Sequence, residues 1–417
     1  MARLPSLGLL ALTLLLGCED EQPACEGPSC NAGGQGGGTA RPCPDSGVLY
    51  GPWSLHFDET SAVVRWDGCK PSSTELSVQP ESGGATLSFS GEQTAAEVTT
   101  RCDALSGIPP DLPGTYYRTE VAVTGLQSGA CYRYEIGAEP ARSGRFCTAR
   151  APDEPFRFMA IGDTNPAIGD TDDLLAAVLV ENPDFVIHSG DIQLYASVFE
   201  TWAGWFPQMA PLLEQGAFMP AIGNHEYEND TEFEDYYVRL FGGAGFDGTI
   251  DYYSFQSGGV WFFSLNTEIP LEAGSTQADW LEQQLADAAA EPGYRFSVVY
   301  LHRPFITLAD YSQNTTEREH FRPIFLQRGV RVVLQGHVHG YERFVDGELT
   351  YITTGGGGAA LHDLDERMDD RPDEAALRVA SAKRNHAVVF EVGAGELTGT
   401  VISNKAEVLD TFVIGLQ

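Results

Sequence analysis

Phe156-Arg157-Phe158-Met159-Ala160-Ile161-Gly162-Asp163 is an apolar, strand-forming run broken by a glycine and closed by a carboxylate. Asp184-Phe185-Val186-Ile187-His188 follows the same plan and reaches Gly190-Asp191. Further on, Ala217 to Ile222 leads into Gly223-Asn224-His225-Glu226, Val298 to Leu301 into His302, and Val330 to Leu334 into Gly336-His337-Val338-His339. Helical segments fall between these runs: Thr171 to Val180, Gln277 to Ala289 with Trp280, Leu281 and Leu285 at helical spacing, and Glu317 to Gln327. Strands alternating with helices predict a layered α/β domain beginning near residue 152. In such sheets, sites form at the carboxyl ends of the strands, so five distant segments are expected to meet in one crevice.

The residues delivered there are two Asp, one Asn and three His, all oxygen or imidazole donors. This set suits zinc, iron or manganese and does not suit a thiophilic ion. Taken singly, each motif is weak: Gly-Asp at a strand end is usually a turn, and a lone His is usually a satisfied core residue. In His337-Val338-His339 the two side chains share one side of an extended backbone, which suits two neighbouring metals. Five motifs in order make an all-structural reading untenable.

Composition agrees with a site built around cations. The chain has 417 residues, 42% hydrophobic, which is globular composition and enough for two or three domains. Asp and Glu number 59 against 25 Lys and Arg, leaving a formal charge of −34 that argues against nucleic-acid binding. An anionic substrate therefore needs a local positive centre, and a metal ion supplies one.

Outside the α/β region, Ala62 to Trp66, Glu75 to Val78, Ala85 to Phe89, Tyr116 to Val123 and Cys131 to Ile136 read as short strands of a small all-β sandwich over residues 46–148. Residues 18–45, with the run Asn31 to Gly38, read as a glycine-rich tether that buries too little to order itself. Residues 1–17 combine a cationic start with the apolar run Leu7 to Leu16, too short to span a bilayer, and read as an export signal. Leu15-Leu16-Gly17-Cys18 resembles the bacterial lipobox, which implies acylation of Cys18 and an exported lipoprotein held on a membrane, facing the periplasm or cell surface. In that oxidising setting Cys69 with Cys102 and Cys131 with Cys147 are the expected disulfides, although sequence alone does not set connectivity.

The order Gly-Asp, Gly-Asp, Gly-Asn-His-Glu, Val-x-x-His and Gly-His-x-His resembles that of the calcineurin-like metallophosphoesterases. Gly336 to Arg343 (Gly-His-Val-His-Gly-Tyr-Glu-Arg), the tail Tyr351 to Gly358 and a preceding domain similar to fibronectin type III carry the resemblance to purple acid phosphatases, across roughly residues 46–417. The resemblance implies a four-layer αββα catalytic domain over 152–417 that hydrolyses phosphate monoesters at a dinuclear metal centre. It implies that Asp191 bridges two ions (Fe, Zn or Mn), that Asp163 and His339 serve one, and that Asn224, His302 and His337 serve the other. His225 then stabilises the phosphoryl group or protonates the leaving alkoxide, and Arg303 contacts a phosphate oxygen. Two departures stand out. The family's tyrosinate ligand falls at Leu194, with Tyr195 one position later, and Asn165 stands where other metallophosphoesterases have a His ligand. A phenolate turned away from iron implies a colourless enzyme. The alternatives are a phosphodiesterase of the same superfamily and a non-catalytic surface lipoprotein binding a partner through the sandwich.

Overall fold

The computed structural model describes residues 31–32, 43–101, 114–138, 140–165, 170–193, 202–227, 233–242, 247–248 and 251–416. Its first strands are β1 (Val48–Phe57), β2 (Ser61–Gly68), β3 (Glu75–Pro80), β4 (Leu87–Ser90), β5 (Glu92–Val98), β6 (Gly114–Thr124), β7 (Cys131–Ile136) and β8 (Arg142–Cys147). They form two antiparallel four-stranded sheets, ordered β1-β2-β6-β5 and β8-β7-β3-β4. Alternation along the strands turns Val64, Trp66, Val121 and Val123 of one sheet toward Leu76, Val78, Tyr132 and Tyr134 of the other, and these close a shared core.

The disulfides are Cys43–Cys69 and Cys131–Cys147. The expected Cys69–Cys102 bridge is therefore wrong. The chain at Cys43 doubles back beside the end of β2, where Cys69 N–H donates to Gly47 O at 2.9 Å, and this brings the two Cα atoms to 5.8 Å. Asn31–Ala32 pair antiparallel with Thr100–Arg101. The stretch expected to be a free tether is thus held at two points, by ladder bonds and a disulfide that need no apolar burial. Cys18 and Cys102 lie outside the described residues.

The second half comprises β9 (Phe156–Ile161), α1 (Asp170–Val178), β10 (Phe185–His188), α2 (Trp202–Leu213), β11 (Ala217–Pro220), β12 (Tyr253–Ser257), β13 (Val260–Ser264), α3 (Thr276–Ala290) and β14 (Phe296–Leu301). It continues with α4 (Thr315–Arg328), β15 (Val330–Gln335), β16 (Tyr341–Asp346), β17 (Leu349–Thr354), α5 (Pro372–Leu377), β18 (Arg378–Ala382), β19 (His386–Val392), β20 (Glu396–Ser403) and β21 (Val408–Gly415). One sheet runs β11-β10-β9-β19-β20-β21; the other runs β12-β13-β14-β15-β17-β16-β18, with Asp247–Gly248 at its β12 edge.

Every strand near the middle of these sheets is covered on both faces, so its sequence is apolar throughout rather than alternating. Phe158 and Ala160 join Phe255, Phe262, Val298 and Ile352 in a core between the sheets. Met159 and Ile161, pointing the other way, pack with Leu174 and Val178 of α1 and Trp205 and Met209 of α2. On the far side Phe263, Val299 and Val333 pack against Leu281 and Leu285 of α3 and Phe321 and Phe325 of α4. The result is the expected four-layer αββα arrangement.

The two halves share a face. Tyr50 of β1 stacks on Phe206 of α2 at 4.4 Å, and Arg239, between α2 and β12, donates to Asp67 of β2 at 2.9 Å while lying over the Tyr116 ring at 4.3 Å. No helix among the described residues is long and apolar enough to cross a membrane.

Candidate metal centre

Register places the motifs. Parallel β9, β10 and β11 pair Ile161 with His188 and His188 with Pro220, so the turns at Asp163, Asp191 and Asn224 leave one edge of the first sheet. Parallel β14, β15 and β17 pair Tyr300 with Leu334 and Leu334 with Ile352, so His302, His337 and the glycine tail leave the same edge of the second. Asp163, Asp191 and His337 then adopt φ of 57°, 49° and 69°, each just after a glycine. A left-handed conformation costs a non-glycine residue on the order of 1 kcal/mol or more and persists only where surrounding contacts enforce it. Here they do. Asp163 N–H donates to Gly190 O and His337 N–H to both Asp163 carboxylate oxygens, each at 3.1 Å, while Gly336 N–H donates to His302 O at 2.9 Å.

The turns bring together the residues expected from sequence. His302 Nε2 lies 3.2 Å from Asp191 Oδ2, 3.1 Å from Asn224 Oδ1 and 3.2 Å from His337 Nδ1. His339 Nε2 lies 3.4 Å from Asp163 Oδ1. His225 Nε2 is 3.7 Å from Asp191 Oδ2, and its backbone N–H donates to Asp191 Oδ1 at 3.0 Å. Asp163, Asp191, His302, His337 and His339 are buried, whereas the His225 side chain keeps 22% of its surface. Close approach requires glycine around the cluster: a Cβ on Gly223 would overlap Asp191 Oδ1, one on Gly190 would stand 2.7 Å from His302 Nδ1, one on Gly355 2.8 Å from Asp163 Oδ2, and one on Gly336 3.0 Å from both that oxygen and His302 Nδ1.

The donor set fits a metal. A neutral imidazole has one N–H, and His302 gives it through Nδ1 to Ser189 O at 3.0 Å, as His339 gives its own to Ala360 O at 2.7 Å. Nε2 of each ring therefore presents a lone pair to carboxylate oxygens, the tautomer that metal-binding histidines use. Lone pairs facing lone pairs call for positive charge between them. Burial works against protonating His302, but the charge of Asp191 outweighs it and pushes the imidazole up to about 9. Burial likewise opposes the Asp191 carboxylate, yet His302 and His225 hold it well below the usual carboxylate range. Asp191, His302 and His337 offer ligand atoms all within 4.8 Å of one another.

Other expected residues fare differently. Arg303 Nε donates to Glu268 Oε1 at 2.8 Å in an ion pair. Asn165 is fully buried, and its backbone carbonyl accepts from Thr171 Oγ1 at 3.4 Å. Leu194 and Tyr195 lie outside the described residues.

Three contributors escaped the sequence reading. Glu226 is buried and accepts backbone N–H groups from Gly223, Ile192 and Asp191 at 2.7, 2.8 and 3.1 Å, tying the Asp191 turn to the Asn224 turn. Its place in Gly-Asn-His-Glu is the signal that could have found it. His362 stacks on His339 at 4.0 Å, and Tyr311 stacks on His362 at 4.5 Å. Neither carries a sequence signal.

Residues 156–341 match the calcineurin-like phosphoesterase family. Purple acid phosphatase 15 of Arabidopsis thaliana is 28% identical over 300 residues, 60% of this chain and 55% of the relative. An uncharacterized Mycobacterium tuberculosis protein is 26% identical over 298 residues, 62% of this chain and 53% of its own. The matched segment thus spans about half the length of these curated relatives. Among solved structures, a purple acid phosphatase from yellow lupin (Lupinus luteus) seeds superposes with a TM-score of 0.68 at 17% identity, covering 87% of this chain and 74% of its own. A PhoD structure superposes at 0.60 and 13% identity, covering 89% and 90%. At those identities the likeness is one of fold. Residues 156–341 therefore carry a calcineurin-like phosphoesterase domain, and the chain is similar in sequence to purple acid phosphatases and in fold to the solved lupin enzyme.

Proposed function

We propose that the chain hydrolyses phosphate monoesters with two metal ions, one held by Asp163 and His339, the other by Asn224, His302 and His337, with Asp191 shared. The observation that carries this reading is the convergence of oxygen and imidazole donors on buried His302 Nε2, at 3.1 to 3.2 Å. When bound, such ions lower the pKa of water and neutralise phosphoryl charge, which a chain of formal charge −34 otherwise repels.

The chain's own groups divide the remaining work. Ser189 O and Ala360 O fix the rings of His302 and His339, so ligand direction is set before substrate arrives. His225 is the part-exposed member beside Asp191, with Nε2 3.7 Å from its Oδ2. It is thus placed to give a proton to the leaving alkoxide. Upstream, the sheet orders β1-β2-β6-β5 and β8-β7-β3-β4 support a fibronectin type III-like sandwich, and export as a lipoprotein acylated at Cys18 completes the proposal. Retained membrane association in Cys18→Ser would refute the anchor.

Turnover of aryl phosphate mono- and diesters by zinc-, iron- or manganese-loaded protein tests the activity. Faster monoester turnover that falls about 100-fold or more in His225→Ala, with metal content retained, supports the proposal. Preference for the diester assigns the site to a phosphodiesterase, and no turnover with metal bound assigns a non-catalytic role.

A further inference from the structure

Three segments meet behind His339. Ala309 from the loop after His302, Val338 from the ligand turn, and Leu364 from the stretch after the glycine tail form a small apolar cluster with Tyr311 packed on it. On this base His362 and His339 bond reciprocally: His362 N–H donates to His339 O at 3.0 Å, and His339 N–H donates to His362 Nδ1 at 3.1 Å. Their rings stack at 4.0 Å with 20° between planes.

Because His362 Nδ1 accepts, its hydrogen sits on Nε2 and is donated to the Tyr311 hydroxyl at 3.0 Å. The Tyr311 ring stacks on the His362 ring at 4.5 Å and meets the His337 ring edge-on at 5.2 Å. Tyr311 is itself held. Arg371 donates to Tyr311 O and Thr307 O, both at 2.8 Å, and buried Glu342 accepts from Thr307 Oγ1 at 2.6 Å and Leu308 N–H at 3.1 Å. A continuous line of contacts thus runs from Glu342 through the loop to Tyr311, His362 and His339.

We propose that Tyr311 and His362 are positioning residues that fix the His339 ring, and with it the affinity of the metal position made by His339 and Asp163. This inference rests on the metal reading above. Among the described residues the His339 ring is otherwise held by its Nδ1 bond to Ala360 O at 2.7 Å and the approach of Nε2 to Asp163 Oδ1 at 3.4 Å, and these contacts at the ring edge leave its plane free to rock. The stack confines its plane, so Nε2 stays directed at Asp163 Oδ1. Partners that orient a ligand in this way typically change metal affinity by about 10- to 100-fold.

The test strips the full-length protein with a chelator and titrates it with zinc against a competing dye, using thermal melting of the stripped protein as a check on folding. Wild type is expected to show two binding steps. In His362→Ala one dissociation constant should rise about 10- to 100-fold while the other moves less than about threefold. His362→Asn, whose Oδ1 can still accept from His339 N–H, should recover part of the loss. Tyr311→Phe keeps the stacked ring, loses the hydroxyl, and should show a smaller rise in the same step; it carries the test if His362→Ala does not fold. Two wild-type constants in folded His362→Ala and in Tyr311→Phe would overturn the positioning role alone. No zinc binding by wild type would overturn the metal reading and the positioning role with it.

Discussion

Replacing Glu226 sets two opposing terms against each other. Its carboxylate accepts three backbone N–H groups at 2.7 to 3.1 Å, and bonds to a charged acceptor contribute about 1.5 to 3 kcal/mol each, roughly 6 kcal/mol in all. Against this, burial and the neighbouring Asp191 charge outweigh those bonds and push the carboxyl up to about 7, so ionising it carries a cost even with the bonds made. Glu226→Gln removes that cost, keeps about two weaker neutral bonds, and turns an N–H donor toward another. The net loss should be about 1 to 2 kcal/mol. Glu226→Ala loses every bond and leaves buried donors unmet, so about 3 kcal/mol or more should go. Urea unfolding at pH 8 in chelator, which removes any metal contribution, measures both. Since the bonds tie the Asp191 turn to the Asn224 turn, metal occupancy should fall in the same order, Gln before Ala. Wild-type unfolding and occupancy in Glu226→Ala would refute the reasoning.

The Arg239–Asp67 pair joins the two halves of the chain with both side chains almost fully buried. Asp67→Ala should cost about 3 to 5 kcal/mol by removing the carboxylate that a buried guanidinium faces, and Arg239→Met added to it should restore part; a loss under about 1 kcal/mol would show the pair to be dispensable. His386 is lowered to about 4 by burial, while hydrogen bonds to the Arg384 and Thr353 carbonyls favour its charged form less strongly. Its folded pKa lies below the unfolded value, so its contribution, about 3 kcal/mol at most, is present above pH 6.5 and lost as pH falls toward 4. His386→Gln should flatten that acid limb in metal-free unfolding curves, and an unchanged limb would contradict the assignment. Iron-loaded protein should lack an intense visible band; a band that vanishes in Tyr195→Phe would restore Tyr195 as a ligand.

The strand-end donors were legible because each motif joins an apolar run to a glycine and a polar side chain, and parallel register does the rest. The left-handed φ values at Asp163, Asp191 and His337 were not legible, since they are imposed by contacts among turns far apart in sequence. Nor was the division of labour inside Gly336 to Arg343. His337 and His339 join the donor cluster, but Tyr341 and Arg343 both bond Asp410 of β21 at 2.8 Å, and Glu342 anchors the Tyr311 loop. The later half of that motif therefore holds the fold together rather than doing chemistry. His362 stayed hidden because a lone histidine outside any strand or helix pattern has no periodic signal. Cys43 paired with Cys69 for a similar reason: its approach depends on a chain reversal that residue types near it do not announce.

The central claim is that one buried cluster holds two metal ions through a shared Asp191. Elemental analysis of desalted, folded protein measures this most directly, on wild type and on Asp191→Asn. The account predicts about two transition-metal ions per wild-type chain and a clear fall in Asp191→Asn, which removes the only charged group proposed to touch both ions. One ion or none in wild type, or full occupancy in Asp191→Asn, would contradict it.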